Sequence, residues 1–544
     1  MPFAKHVRDA AQRFLRTAVV IDDEASLDHA DPHAQELIAP TPRSAAEAAT
    51  LSWSETAAPR ETLDAKAMVD AFAELGLICG VLKPTRSESE KPSESLVKTA
   101  SRADLVVLDW VLGGDGGEAA LRLIEHLVDS DHTIASGRLR LIAIYTTEPH
   151  LGEILAAVRD RLGERVDECS NVEMAGASLQ CGGLTLIVFA KEGTMVAPDR
   201  LGDVISVHEL PKVLVKQFAQ LTDGIIPAFV LNCLAAIREN SHHLLRRFHP
   251  GLDAPFLSHR CFTDPVDAEE FAVNLMALEL RGLLAANEVR RYVSQEVVDA
   301  WIAERVVNES YELLPGKPIS KDEFRTLLSE GRDEDNPPEG IKQKPFKNLR
   351  SLTPLFHESS ELAERSDHEM ARLSSLSRDD PDHFRNSQPP VLTLGTIVRM
   401  KVDPGEEMET PSRWRYSVCV QPACDALRLS GRTKFAFIPL DPVEPSENFE
   451  FVAVGPDQER LYFAPAVGVR DLMLIEFKPD IDQRVRATAR DGRFIFEEAD
   501  DEDIFWVAQL REFQGQRLAN QLAGLMGRPG VDEYEWLRKS AGRH

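Results

Sequence analysis

The sequence lacks long apolar runs. No uninterrupted apolar stretch reaches the roughly 18 residues that a membrane-spanning helix requires. The N-terminal stretch MPFAKHVRDAAQRFLRTAVVIDDE carries basic residues but no apolar segment of the signal-peptide type. We therefore expect no membrane span and no membrane partner.

Positive charge and paired cysteines are also scarce. The 62 Lys and Arg residues face 89 Asp and Glu residues, so the formal net charge is −27. This balance opposes non-specific binding to nucleic acid, which we therefore exclude as a partner. The seven cysteines are odd in number and form no CxxC pair, which favours reduced thiols and a cytoplasmic location.

Apolar runs and helical patterns alternate over residues 17–192. Helical spacing between the runs predicts a doubly wound parallel sheet, and right-handed crossovers give the strand order 2-1-3-4-5. Two segments, 27–60 and 163–182, are expected to be surface insertions in a domain that covers residues 1–197. The five predicted strands are 17–21, 77–82, 103–108, 139–145 and 184–190, and the predicted helices are 62–76, 90–101, 117–129 and 150–162.

The remaining 350 or so residues have three different patterns. Helical spacing comes first, then a stretch rich in charge, Pro and Ser, then seven short apolar runs between close turns, which predict a small antiparallel barrel or sandwich. The predicted parts are an all-α domain over 198–330, a linker over 331–390 with one helix near 358–375, a small β domain over 391–500, and a C-terminal helix and tail over 501–544, with the helix at 502–526.

Polar side chains follow the ends of the predicted parallel strands. Asp22 and Asp23 follow the first strand and Asp109 follows the third, and the carboxyl ends of parallel strands share one edge of a sheet. Three carboxylates that close repel one another unless a cation lies between them, and Mg²⁺ suits such a set. Thr146 and Lys191 follow strands four and five. Together these groups would stabilise a phosphoryl group on Asp109.

Four stretches, VVIDDE, VVLDWVLGGDGGEAAL, IAIYTTE and IVFAKE, resemble the CheY-like receiver domain of two-component response regulators. The resemblance spans about residues 17–192. It implies that Asp109 accepts a phosphoryl group from a sensor histidine kinase and that the following glycines form the loop around it. The other roles it implies are Mg²⁺ binding by Asp22, Asp23, Asp109 and the carbonyl of Val111, and phosphate stabilisation and switching by Thr146 and Lys191.

The sequence departs from the receiver pattern at three positions. Glu192 replaces the proline that usually follows the lysine, and Val188 stands at the usual aromatic switch position, with Phe189 beside it. Both departures bear on the output switch rather than on phosphorylation. Val111, two residues after the acceptor, cannot orient an attacking water. We therefore expect a long-lived aspartyl phosphate.

Plainer interpretations of these residues remain open. Asp22 or Asp23 could simply cap a helix, and the domain could be a receiver that is never phosphorylated. A haloacid-dehalogenase-like phosphatase also uses a strand-end Asp, but it needs a second Asp where Val111 stands. Cys419 and Cys424 with Asp425 could bind a metal, although structural thiols are the simpler interpretation. His242, His243 and His249 could also bind a metal, although a helix surface is the simpler interpretation. Trp506, Leu510 and Phe513 could form a partner-binding face, although core packing is the simpler interpretation.

The region beyond the receiver has no helix-turn-helix, which argues against a DNA-binding output. It also has no phosphate-binding glycine loop, nucleophile elbow or HExxH motif, so we expect no enzyme. The whole architecture resembles receiver-bearing proteins of Detocs-type anti-phage two-component systems, and most of all the effector-less member that acts as a phosphate sink. That resemblance implies a sensor kinase and an effector response regulator sharing the kinase as partners. The alternative is a response regulator whose C-terminal β module carries a phosphorylation-controlled binding or enzymatic output.

Overall fold

The chain forms two compact units in the computed structural model. The first comprises Met1–Ser310 with Ser320–Glu339, and the second comprises Tyr311–Ile319 with Gly340–His544. The structure describes residues 2–26, 63–84, 94–134, 139–163, 169–171, 177–181, 184–263, 265–314, 317–331, 352–357, 359–379, 389–402, 413–445, 448–455, 459–497 and 503–526. The predicted insertion over 27–60, most of the predicted linker and the C-terminal tail lie outside these residues.

Helices and strands alternate in the first part of the chain. The helices are α1 (Phe3–Phe14), α2 (Ala65–Glu74), α3 (Glu94–Arg102), α4 (Glu118–Ile134), α5 (Leu151–Leu162), α6 (Leu210–Leu221), α7 (Ile225–Arg247), α8 (Asp253–Phe262), α9 (Pro265–Ala286), α10 (Gln295–Arg305) and α11 (Lys321–Glu330). The strands are β1 (Thr17–Ile21), β2 (Ile78–Leu82), β3 (Leu105–Leu108), β4 (Arg140–Thr146), β5 (Cys169–Asn171), β6 (Ala177–Cys181), β7 (Leu184–Lys191), β8 (Val204–Ile205), β9 (Ser310–Leu314) and β10 (Lys317–Ser320). Short 3-10 helices cover Pro198–Asp203, Pro250–Leu252 and Val289–Val293.

The main sheet of the first unit has the strand order β2-β1-β3-β4-β7-β6-β5. The four strand pairs β2–β1, β1–β3, β3–β4 and β4–β7 are parallel, so the predicted parallel sheet is present. Nearly every side chain of β1, β3, β4 and β7 is buried, because helices cover both faces of the sheet. The sheet is nevertheless mixed and larger than the five predicted strands.

The extra strands correct the prediction that 163–182 is a surface excursion. From this segment, β5 and β6 add antiparallel strands beside β7. β8 adds a short parallel strand to the end of β7, inside the region predicted to be all-α, and β9 and β10 form a separate two-stranded sheet there. These strands are two to five residues long, too short for a clear period in the sequence.

Two apolar cores cover the two faces of the main sheet. One core joins the sheet to α3, α4 and α5. The other joins it to α1 and α2 and also to α6, α7 and α10 from beyond residue 197. The domain boundary predicted at residue 197 therefore falls inside one compact unit, because side chains such as Phe218 of α6 are buried against the sheet.

The second unit is built on an antiparallel sheet. Its helices are α12 (Ser360–Ser375) and α13 (Glu512–Met526), with 3-10 helices at Thr353–Phe356, Ala423–Ala426 and Val469–Asp471. Besides most of β9 and β10, its strands are β11 (Leu376–Arg378), β12 (Thr396–Val402), β13 (Arg413–Cys419), β14 (Thr433–Pro442), β15 (Phe451–Val454), β16 (Arg460–Pro465), β17 (Met473–Phe477), β18 (Thr488–Arg490), β19 (Arg493–Glu497) and β20 (Asp503–Leu510). They follow the order β15-β16-β14-β13-β12-β20-β19-β18, with β11 paired to β20 and β17 paired to β14.

The predicted C-terminal helix begins too early. Residues Asp503–Leu510 form β20, a strand paired with β12 and β19, and the helix starts only at Glu512. Trp506 and Leu510 belong to the β cores, whereas Phe513 is exposed, so the three do not share a helix face. The strand is apolar on both faces, because cores lie on both sides of the sheet, and this removes the alternation that identifies a strand.

His368 of α12 is a buried histidine held in its neutral form. Its Nδ1 lies 3.2 Å from Nη1 of Arg460 and 3.1 Å from the hydroxyl of Tyr462. A guanidinium can only donate, so Nδ1 accepts and carries no proton. Burial lowers the pKa of His368, Arg460 lowers it further, and Glu364 and Asp367 partly oppose the shift.

The unfolding free energy is therefore expected to fall as pH drops below about 6.5, the ordinary histidine pKa. The unfolded chain binds a proton at His368 in this range, whereas the folded chain resists it. The measurement is the urea midpoint between pH 7.5 and 5.5 for wild type and His368→Gln, with the exposed His243→Gln as the control. Equal pH slopes for wild type and His368→Gln would contradict the prediction.

Candidate functional site

The three predicted acidic side chains meet at the carboxyl edge of the parallel sheet. Asp22 directly follows β1 and Asp109 directly follows β3. The backbone N–H of Asp22 donates to the carbonyl of Leu82, and that of Asp109 donates to the carbonyl of Ile21 at 2.9 Å. Sheet hydrogen bonding therefore continues into the site and fixes the positions from which these carboxylates project.

Lys191, the last residue of β7, supplies the positive charge of the site. Its Nζ donates to Oδ2 of Asp22 at 2.8 Å and lies 3.5 Å from Oδ2 of Asp109. All three side chains are buried. Burial alone would lower the pKa of Lys191, but the charges and hydrogen bonds of Asp109 and Asp22 outweigh it and raise the pKa. Lys191 is therefore a cation shared by two carboxylates.

Burial makes ionisation of the Asp109 carboxyl group unfavourable. Burial raises the pKa of Asp109 to about 7; Lys191 opposes this rise, and the charges of Asp22 and Asp23 add to it. The one lysine is therefore too little positive charge for three carboxylates. A divalent cation would offset the excess and favour the ionised form of Asp109.

Asp23 offers an oxygen for such a cation. Its Oδ2 accepts a hydrogen bond from the backbone N–H of Gly113 at 2.8 Å, while its Oδ1 is buried without a hydrogen-bond partner. Oxygens of Asp22, Asp23 and Asp109 all lie within 4.8 Å of one another. An orphaned buried carboxylate oxygen beside two further carboxylates is a donor set that fits Mg²⁺.

The loop after Asp109 is shaped by glycine. Gly113, Gly114, Gly116 and Gly117 all have positive φ, a conformation that side chains with a Cβ rarely adopt. At Gly117 space is also critical, because an added Cβ would lie 2.2 Å from the indole of Trp110. The backbone N–H of Trp110 in turn donates to Oδ1 of Asp109 at 2.9 Å. The loop thus packs closely against the Trp110 indole, and the backbone of Trp110 is hydrogen-bonded to the acceptor carboxylate.

Thr146 and Val111 lie beside this cluster without bonding to it. Thr146, the last residue of β4, is fully buried, and its hydroxyl accepts from the backbone N–H of Glu148 at 3.2 Å. Val111 is half-buried, and its side chain packs against the core that contains α4. Within the described residues, no hydrogen bond joins either one to the carboxylates, so their predicted roles stay predictions.

The sequence did not single out Tyr145. Its ring centroid lies 5.9 Å from Nζ of Lys191, and its hydroxyl donates to the carbonyl of Ile205 at 2.9 Å. Val188 and Phe189 instead point into the opposite cores of the sheet. The aromatic ring near the lysine thus comes from β4 rather than β7; its position immediately before Thr146 was the only available signal.

The other candidate metal sites are not assembled. Cys419 is buried in β13, whereas Cys424 is exposed in a 3-10 helix. Across the described ranges, the only His, Cys, Asp or Glu group of three or more that could share a metal ion is Asp22, Asp23 and Asp109. No helix in the described part of the chain is both long enough and apolar enough to cross a membrane.

Comparison with known proteins agrees with this geometry over the first third of the chain. The family model of the response receiver domain matches residues 14–195. No match was found among curated proteins or among solved structures. The matched segment holds β1 to β7 and all of the acidic cluster with its lysine. Residues 14–195 of this chain are therefore a response receiver domain.

Proposed function

We propose that this protein takes a phosphoryl group from a sensor histidine kinase onto Asp109. The observation that carries the proposal is the cluster of Asp22, Asp23 and Asp109, in which Nζ of Lys191 contacts the buried carboxylates of Asp22 and Asp109. A carboxylate oxygen of Asp109 attacks the phosphorus of a phosphohistidine, an O–P bond forms as the N–P bond breaks, and the imidazole nitrogen leaves.

The surrounding residues would support this transfer in distinct ways. Lys191 lies close enough to Asp109 to offset charge on the incoming phosphoryl oxygens. Asp22 holds the lysine in place through its 2.8 Å hydrogen bond. Asp22, Asp23 and Asp109, with the carbonyl of Val111, would hold Mg²⁺, which supplies positive charge for the phosphoryl oxygens. The hydroxyl of Thr146 would donate to one of them.

We further propose that the protein is a phosphate sink in a cytoplasmic defence system of the Detocs type and has no enzymatic output. Support comes from the resemblance of its architecture to the effector-less receiver proteins of those systems. The sequence beyond residue 197 shows no catalytic motif that would give phosphorylation an enzymatic output. A phosphate sink must compete with the effector for the kinase, and its aspartyl phosphate must be long-lived.

A competition experiment tests this function. A histidine kinase encoded in the same genome is autophosphorylated with labelled ATP and mixed with its effector receiver, with or without this protein and Mg²⁺. We expect label to leave the kinase, appear on this protein, and fall on the effector. Failure of this protein to take label contradicts phosphoryl acceptance. Uptake without any loss from the effector contradicts the sink, and favours an output through the β unit.

Val111→Asn is expected to shorten the lifetime of the phosphoryl group. Valine has no polar atom with which to orient a water for attack on phosphorus, whereas an asparagine amide could hydrogen-bond that water. The measurement is the half-life of the labelled protein after removal of the kinase, with Val111→Leu as the apolar control. A half-life for wild type equal to or shorter than that of Val111→Asn contradicts the prediction.

A further inference from the structure

Helix α9 is apolar but almost unburied. Among its described side chains only Ala268 is buried, although the helix spans 22 residues and is rich in Leu, Ala and Val. The neighbouring helix α8 has no buried residue. A helix of this composition is stabilised mainly by packing its apolar side chains against other elements. Most of the described apolar side chains of α9 are not buried in this way.

Side chains of α9 contact the neighbouring helices α7 and α8. Glu279 pairs with Arg247 of α7 at 2.6 Å, and Glu269 pairs with Arg260 of α8 at 2.8 Å. The ring of Phe271 lies 5.0 Å from that of His259 in α8. Six exposed residues of α9 form a stripe, which we call the α9 stripe: Glu270, Val273, Asn274, Ala277, Leu278 and Arg281.

The α9 stripe is a single face at helical spacing. Its members follow one another at intervals of three, one, three, one and three residues, so they form one continuous ridge. Val273 is 70% exposed and Leu278 is 63% exposed. These apolar side chains and Ala277 lie among three polar members of the stripe, and an exposed apolar patch rimmed by polar residues is typical of an interaction site.

The order of residues along the stripe identifies the partner. Turning the helix end for end about the midpoint between Leu275 and Met276 places Glu270 opposite Arg281, Val273 opposite Leu278, and Asn274 opposite Ala277. An acid then meets a base, an apolar residue meets an apolar residue, and a small residue at the centre allows close approach. A surface that is complementary to itself in this way is the mark of an isologous two-fold interface.

We propose that the α9 stripe binds the α9 stripe of a second copy of this chain, with the two helices antiparallel. Each stripe would cover the valine and leucine of the other. The two-fold axis repeats each contact, so the interface contains two Glu270–Arg281 ion pairs and two Val273–Leu278 contacts. The dimer does not depend on phosphoryl acceptance, because the stripe lies outside the receiver domain at residues 14–195.

Sedimentation velocity of the full chain tests the proposal. We expect wild type to sediment as a dimer, and Leu278→Glu, which places two unpaired acids in the interface, to weaken the dimer at least about a hundredfold. Leu474→Glu, at an equally exposed leucine of β17, adds the same charge in the other unit and should leave the dimer intact. A monomeric wild type, or a dimer unaffected by Leu278→Glu, overturns the proposal.

A charge exchange tests the antiparallel arrangement. Glu270→Arg and Arg281→Glu should each weaken the dimer, because each brings like charges together at both ends of the interface. The double variant should restore it, since the pair re-forms with its signs reversed. Restoration also shows that the single variants fold, because the double variant contains both changes. A double variant no better than the single variants overturns the antiparallel pairing.

Discussion

Asp109→Asn is expected to reduce phosphoryl incorporation by about a thousandfold or more, to background. The amide keeps the shape of the side chain and can still accept the hydrogen bond from the Trp110 backbone N–H. It removes the anionic oxygen that attacks phosphorus. It also removes one of the three carboxylates of the cluster, so Mg²⁺ affinity should fall as well. The measurement is incorporation from acetyl phosphate and, separately, from a labelled kinase.

The matched control is Asp160→Asn, which makes the same chemical change at an exposed position of α5 in the same domain. It should be labelled like wild type. The stability of Asp109→Asn should not fall, because burial raises the pKa of Asp109 to about 7 and the charged form is costly there. Wild-type labelling of a folded Asp109→Asn protein would place the phosphoryl group elsewhere and refute the assignment of Asp109.

Gly117→Ala is expected to destabilise the receiver domain by about 2 to 4 kcal/mol. Two costs add: φ is +98° at this glycine, and the new Cβ would lie 2.2 Å from the Trp110 indole. The indole must therefore shift, and we expect this shift to disturb the backbone of Trp110, whose N–H donates to Asp109. Phosphoryl acceptance should consequently fall together with stability. Urea unfolding and acetyl phosphate labelling measure the two effects.

Gly114→Ala separates backbone strain from crowding. Its φ is +75°, but an added Cβ meets nothing within 4 Å, so only the strain of roughly 1 kcal/mol applies. We expect this variant to lose less stability than Gly117→Ala and to keep its labelling. Equal losses in the two variants would show that the Trp110 contact has no special role in holding the loop.

The acidic cluster could be predicted from sequence because its signals are local. Asp22 and Asp109 each follow a buried aliphatic run directly, and parallel strands align their carboxyl ends. The structure does bring the two together with Asp23. The position of Tyr145 over Lys191 was not predictable in this way. It depends on how β4 and β7 pair and on the hydrogen bond from the Tyr145 hydroxyl to β8. Neither feature can be predicted from the residues next to Tyr145 in the sequence.

In the second unit, local sequence patterns did not predict every strand. The seven predicted apolar runs each overlap a strand, but β11, β18 and β20 were not predicted as strands. For β20 the reason is burial on both faces: Trp506 and Leu510 lie in different cores, so no alternation marks the strand. Short strands such as β18, with three residues, hold too few positions for any period to show.

By itself, the sequence determined the parallel receiver sheet and the residues at its edge, since strand burial and strand ends depend on consecutive residues. Only the tertiary structure decided that Lys191 shares its charge between Asp22 and Asp109, that helices beyond residue 197 complete a core of the same sheet, and that the α9 stripe remains uncovered. These three features depend on which surfaces meet across long separations in the chain. Such long-range contacts are determined by the packing of whole helices and strands rather than by the conformational preferences of residues adjacent in the sequence.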